Sequence, residues 1–145
     1  MKHTLLKSIA YVVLVACSGL PFFSYADFFY DSKEITDCKQ KHKNPMDYTL
    51  CLDASLVQVE RELMSWQTNV QIKLEELAEG GITDSIRLYK SAQRNFERYK
   101  KATCQWQYLA TLPDMTSAVI MAKECQIYMV KDRIVKLQEI SELKF

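Results

Sequence analysis

Cys38, Cys51, Cys104 and Cys125 are the residues of this chain best placed to do chemistry, either as ligands of a soft metal or as two disulfides. No two of them stand as CxxC and their spacings are wide, so the zinc reading is weak and the disulfide reading is preferred. His42 is the only histidine beyond His3, and it lies among Lys39, Lys41 and Lys43 in a polar stretch, where neither a nucleophile triad nor a histidine-rich metal site can be assembled. Glu75, Glu76 and Glu79 could in principle supply the paired carboxylates of a glycosidase. Their spacing instead reads as one charged helix face. Trp66, Phe96, Tyr99 and Trp106 could form an aromatic platform for sugar, but their helical spacing makes them core residues first. There is no phosphate-binding loop, nucleophile elbow or dinucleotide fingerprint. No catalytic residue, metal ligand or cofactor is assigned, and the chain reads as a non-enzyme.

Such residues need a compartment where disulfides persist. Lys2 and Lys7, an apolar run over 8–20 and Ser24-Tyr25-Ala26 compose a signal peptide over 1–26, with cleavage after Ala26. Leu14-Val15-Ala16-Cys17 offers the alternative of a lipobox, in which Cys17 would be lipidated and the protein held at the membrane. Export to the periplasm or the medium follows from the first reading. Both leave four cysteines, an even set. Removing Lys2 and Lys7 from the 19 basic residues leaves 17 against 18 acidic ones, a formal charge of −1. A near-neutral chain has no field to draw it to nucleic acid or an anionic membrane. The Lys39, Lys41, Lys43 cluster and the Lys100-Lys101 pair read as solvated surface.

The elements that must hold these residues are helices. Three glycines and three prolines in 145 residues are too few for the turns of an all-β fold, and 48% hydrophobic content suits one globular domain. Residues 27–44 form an aromatic N-terminal arm and disulfide loop, and residues 45–145 the helical bundle. Asn44-Pro45 starts a first helix with Asp47 in its first turn. Its seam is Leu52, Leu56, Val59, Leu63, Trp66, Val70, Leu74 and Leu77, and Gly80-Gly81 ends it after a length on the order of 50 Å. Thr83 or Asp84 caps a second helix that reaches about Ala110, with a stripe of Ile86, Tyr89, Phe96, Tyr99, Thr103 and Trp106 beside Ala92. A turn over 111–114 leads to a third helix over 115–143, burying Val119, Ile120, Ile127, Val130, Ile134 and Leu137.

Short connections put consecutive helices side by side, which predicts an all-α, antiparallel three-helix bundle with two disulfides. Four cysteines allow three pairings, and spacing alone does not choose among them. Neighbour pairing is expected: Cys38 folding back to Cys51, and Cys104 joining Cys125 across the turn between the second and third helices.

The residues also resemble a family. Cys38 and Cys51 followed by Glu60 and Leu63, then Ala92-Gln93-Arg94 with Phe96, Tyr99 and Cys104, then Cys125 with Arg133 and Leu137, are similar to the lysozyme inhibitor LprI-like proteins, small exported four-cysteine helical proteins. The similarity spans roughly residues 38–137. The chain departs from the pattern at four places: the family usually has Trp at Phe96, Arg-Asp at Lys100-Lys101, Asp at Glu60 and Thr at Val130. Exchanging a planar guanidinium for an ammonium is not conservative.

The resemblance implies a protein partner, a lysozyme whose substrate cleft is blocked, and a contact surface that includes Gln93, Arg94 and Arg133. The alternative for Gln93 and Arg94 is that they hydrogen-bond within the protein and fix their helix. The alternative function is a structural or interaction protein of the periplasm with no lysozyme target. In that reading Phe28 and Tyr30 of the arm dock on a partner.

Overall fold

The computed structural model describes residues 30–143. The expected signal peptide over 1–26, the lipidation alternative at Cys17 and Phe28 of the expected arm lie outside the described residues.

Among the described residues the chain is all-helical, with four helices: α1 (Lys33–Lys41), α2 (Pro45–Glu79), α3 (Thr83–Thr111) and α4 (Met115–Glu142). Helix α1 is the element missing from the three-helix expectation, in a stretch read as arm and loop. Ser32 Oγ accepts from the Ile35 amide at 3.3 Å to cap it, and its charges complement the helix dipole, Glu34 in the first turn and Lys39 and Lys41 in the last. Ile35 and Cys38, three residues apart and hence on one face, are its buried positions.

Helix α2 starts at Asn44-Pro45 as expected, with Asn44 Oδ1 accepting from the Met46 amide at 2.8 Å. It ends in a Schellman turn: the Ile82 amide donates to the Leu77 carbonyl and the Gly81 amide to that of Ala78, with Gly81 at φ 100°. The start of α3 differs from expectation. Ile82 occupies the cap position without a side-chain acceptor, Thr83 is already helical, and Asp84 in the first turn pairs with Arg87 at 3.0 Å. Asp114 caps α4 by accepting from the Ser117 amide at 3.1 Å. These bonds to Ser117 hold the exposed Asp114 carboxyl below the usual carboxylate range.

Ion pairs and hydrogen bonds across the helices fix their directions. Asp53, Glu62 and Lys73 of α2 meet Lys123, Lys131 and the Ser141 carbonyl of α4, so these two helices run the same way. Glu60, Gln67 and Glu75 of α2 meet Lys100, Gln93 and Lys90, so α3 runs the other way. Helix α1 packs against α2 and α4.

The core lies mainly between α2 and α4. Val59, Leu63, Val70 and Leu74 of α2 interlock with Val130, Ile134 and Leu137 of α4. A smaller cluster joins Ile35 and Cys38 of α1 to Tyr48, Leu52 and Ile127. Each such aliphatic side chain contributes about 1.5–3 kcal/mol when fully buried. Helix α3 contributes mostly half-buried apolar groups, chiefly Ile86, Tyr89 and Phe96, and its buried residues are Lys100 and Cys104. Tyr99 and Trp106, expected inside, are 64% and 60% exposed. Each is one residue away from a bundle-facing neighbour, Lys100 or Gln107, and one residue is about 100° of helix rotation.

Cys38 is bonded to Cys51 and Cys104 to Cys125, with Cα separations of 5.8 and 5.6 Å. The expected neighbour pairing is therefore the one observed. The first bond ties α1 to α2 and the second ties α3 to α4. No helix among the described residues is long and apolar enough to cross a membrane.

Candidate functional site

The Cys104–Cys125 bond sets the register of α3 on α4, and the same offset along both helices, 104 back to 96 and 125 on to 133, brings Phe96 opposite Arg133. The Arg133 guanidinium carbon lies 5.6 Å from the centre of the Phe96 ring. Guanidinium–aromatic contacts of this kind contribute about 0.5–2 kcal/mol. Arg133 forms no ion pair among the described residues, and its Nε is buried without a hydrogen-bond partner. A half-buried guanidinium with unspent donors is a group able to take a carboxylate through two parallel hydrogen bonds.

Arg133 lines a groove of about 440 Å³ between α3 and α4, whose other walls include Tyr30, Phe96, Tyr99, Tyr128 and Met129. Tyr30 crosses the α3–α4 junction: its hydroxyl donates to Gln107 Oε1, and its ring meets that of Tyr128 edge-on at 5.7 Å and 78°. Burial pushes the Tyr30 hydroxyl pKa up, so the phenol stays protonated and neutral across the physiological range. On its other side lies a second groove, of about 380 Å³, lined by Trp106, Met121 and Glu124 among others. Tyr30 thus packs against its own bundle between two aromatic-walled grooves.

The three residues named from the sequence as contacts do not meet at one place. Arg133 is in the groove. Gln93 is half-buried at the α2–α3 interface, where its Oε1 accepts from Gln67 Nε2 at 3.2 Å while its own Nε2 is buried without a partner. Arg94 is exposed. Adjacent residues on a helix point about 100° apart, so Gln93 and Arg94 face different surroundings.

Lys100 and Lys101 also separate, which corrects their reading as a solvated pair. Lys101 is exposed, but Lys100 is buried, 8% accessible, with Nζ 2.9 Å from Glu97 and 3.5 Å from Glu60. Its stem packs inward while its ammonium reaches carboxylates at the rim, and Nζ lies 5.9 Å from the Phe96 ring centre. Lys39 is likewise not free: its Nζ is 3.5 Å from Glu124, a 7%-exposed carboxylate that also accepts from the Tyr48 hydroxyl. Burial and that bond push the Tyr48 hydroxyl far above its ordinary pKa.

Lys131 bridges Glu34 of α1 and Glu62 of α2, at 3.2 Å to each. Burial alone would lower the Lys131 pKa, but the two carboxylates outweigh it and raise it. Burial likewise opposes ionisation of Glu34, yet the hydrogen bonds it accepts and the Lys131 charge bring its pKa below the usual value. Glu75, Glu76 and Glu79 are exposed, and Glu75 accepts from Gln71 at 2.8 Å and lies 3.8 Å from Lys90.

The Tyr30 latch and the Tyr128 and Met129 walls of the groove escaped the sequence reading. One sign of the groove was present, the equal offset of Phe96 and Arg133 from the two cysteines. It becomes informative only once the cysteine pairing is fixed. No family model matches the chain, and neither a curated protein nor a solved structure does.

Proposed function

We propose that this chain is an exported, disulfide-stapled binding protein of the LprI-like type that inhibits a lysozyme in the cell envelope, and that the α3–α4 groove around Arg133 is its contact surface. The observation that carries this reading is the Arg133 guanidinium, stacked on Phe96 and without an ion pair among the described residues, in an aromatic-walled groove. A glycosidase works with two carboxylates flanking its substrate. An arginine with free donors on a rigid support is suited to occupy them. The scaffold is an antiparallel three-helix bundle of α2, α3 and α4 with α1 stapled to one side. Two cross-links limit the ordering that binding would otherwise cost. The protein works in the periplasm or after secretion, is held at the membrane only if Cys17 is lipidated, and takes part in no catalysis of its own.

Turbidity clearing of cell walls by several lysozyme types, with and without a molar excess of the oxidised protein, tests the reading. Inhibition of at least one type is expected, and clearing at the uninhibited rate with all of them would remove the inhibitor assignment.

A second reading, an interaction protein of the periplasm with no lysozyme target, is favoured by the exposed aromatic and aliphatic residues of α3, Tyr99, Trp106 and Leu109. It predicts a stable protein partner captured from envelope extracts.

A further inference from the structure

Helix α3 carries two seams, and the bundle covers only one. The covered seam is Tyr89, Gln93, Phe96, Lys100, Thr103 and Gln107, all buried or half-buried. One residue earlier at each step, about 100° around the helix, runs a second series. Its large members Leu88, Tyr99, Trp106 and Leu109 are 58%, 64%, 60% and 56% exposed. Ala92, Asn95 and Ala102 fill the intervening steps and are exposed too. From Leu88 to Leu109 the steps alternate between four and three residues without a break. That is the a/d spacing of a helix-packing seam, including a single polar residue, Asn95, of the kind that fixes register. A surface helix with one partnered side has no need of it.

Charge identifies what would cover it. Arg94, Arg98 and Lys101 flank the outer edge of the second seam, are exposed, and form no ion pair among the described residues. Along the groove that borders its inner edge, Arg133 of α4 has no ion pair among the described residues, while Lys136 is paired with Glu139 at 3.2 Å and Asp132 stands beside them. A second copy of this chain would set the same arginines and lysines against one another, which is unfavourable. A bilayer surface rewards a broad face of large apolar groups, whereas Ala92, Asn95 and Ala102 leave gaps at three of the seven steps. Those small residues instead let another helix backbone approach and let its large side chains interdigitate.

We infer that the outward seam of α3 is a docking site for an acidic amphipathic helix of a partner protein, lying along α3 with its apolar residues on Leu88, Tyr99, Trp106 and Leu109 and its carboxylates against Arg94, Arg98 and Lys101. The bundle then gains a further helix beside α3 and α4. This goes beyond inhibition of a lysozyme and stands independently of it.

Two labelled synthetic peptides of identical leucine-seam helices, one flanked by Glu and one by Lys, test the site by fluorescence anisotropy against the oxidised full chain. The Glu peptide should bind, about tenfold or more tighter than the Lys peptide, and weaken as salt is raised. The triple reversal Arg94→Glu, Arg98→Glu, Lys101→Glu, all at exposed helix positions, should invert the preference. Leu88→Glu with Leu109→Glu should abolish binding of both peptides while circular dichroism stays that of the parent. Equal binding of the two peptides, or binding of neither, would overturn the inference. So would a concentration-dependent dimer in sedimentation that the Leu88→Glu, Leu109→Glu variant loses, which would give the seam to a second copy. Binding to phosphatidylglycerol vesicles with neither peptide bound would overturn it in favour of a membrane surface.

Discussion

Lys100 of α3 and Glu60 of α2 form an ion pair across the interface between these helices, with Nζ 3.5 Å from the carboxylate. The pair sits at the edge of the core: the Lys100 side chain is 11% accessible and that of Glu60 47%. An Arg at 100 meets the same two carboxylates and the same Phe96 ring, so Lys100→Arg should leave stability within about 0.5 kcal/mol of the parent. Lys100→Ala strips the packed stem and leaves Glu60 and Glu97 facing each other, but both can hydrate. A loss of about 1–2 kcal/mol is expected, below the 3–5 kcal/mol typical when the surviving charge is fully buried. Urea denaturation midpoints check both values.

Cys104–Cys125 has more to hold than its loop length suggests, because α3 buries little else. Replacing both cysteines by Ser should cost about 3 kcal/mol, and the amides of α3 should lose hydrogen-exchange protection before those of α2 and α4. Replacing Cys38 and Cys51 should instead loosen α1. Uniform loss of protection along the chain in the first variant would show that α3 is not the weakly held element described here.

Buried and exposed apolar side chains should separate in stability. Leu137, fully buried between α2 and α4, should cost about 2–5 kcal/mol when changed to Ala. Tyr99→Ala, at an exposed position, should fall within about 0.5 kcal/mol of the parent. Thermal denaturation of the two variants distinguishes them directly.

The contrast shows how far the sequence could be read. Asn44-Pro45 and Gly80-Gly81 mark the ends of α2 by local chemistry, a cap acceptor and a left-handed glycine, and both are where expected. The α2 seam is legible for the same reason, since Val59, Leu63, Val70 and Leu74 repeat against a mostly polar background. In α3 the background is itself aromatic. Two seams one residue apart merge into one broad stripe, so Tyr99 and Trp106 could not be told from Phe96 without knowing which side α2 and α4 occupy. Helix α1 escaped because two buried residues in nine make no period. Lys100 escaped because a lysine beside a lysine looks like surface, and only the register of α3 on α2 brings Glu60 to it. Arg133 and Gln93 share the same difficulty: what their donors meet is settled by tertiary packing.

The Glu34–Lys131–Glu62 bridge makes the attachment of α1 pH-dependent. Glu34 has a folded pKa below its unfolded one, so its contribution is complete above about pH 4.3 and fades as pH falls through the lower folded value. Lys131 has a raised pKa, so its contribution is complete below about pH 10.4 and is lost as pH rises through the folded value. Stability measured from neutral pH down to strongly acid conditions should therefore decline less steeply in Lys131→Met than in the parent. Parallel curves would contradict a stabilising role for the bridge.

The most direct test of the proposed function is a titration of one susceptible lysozyme with the oxidised protein and with its Arg133→Ala and Arg133→Lys variants, after circular dichroism has shown all three equally helical. Inhibition by the parent, weakened about tenfold or more in Arg133→Ala and only partly restored by Arg133→Lys, is the expected result, because a lysine keeps the charge but not the paired hydrogen bonds. Equal inhibition by all three would contradict the assignment of the Arg133 groove as the contact, and no inhibition by the parent of any lysozyme type would contradict the function itself.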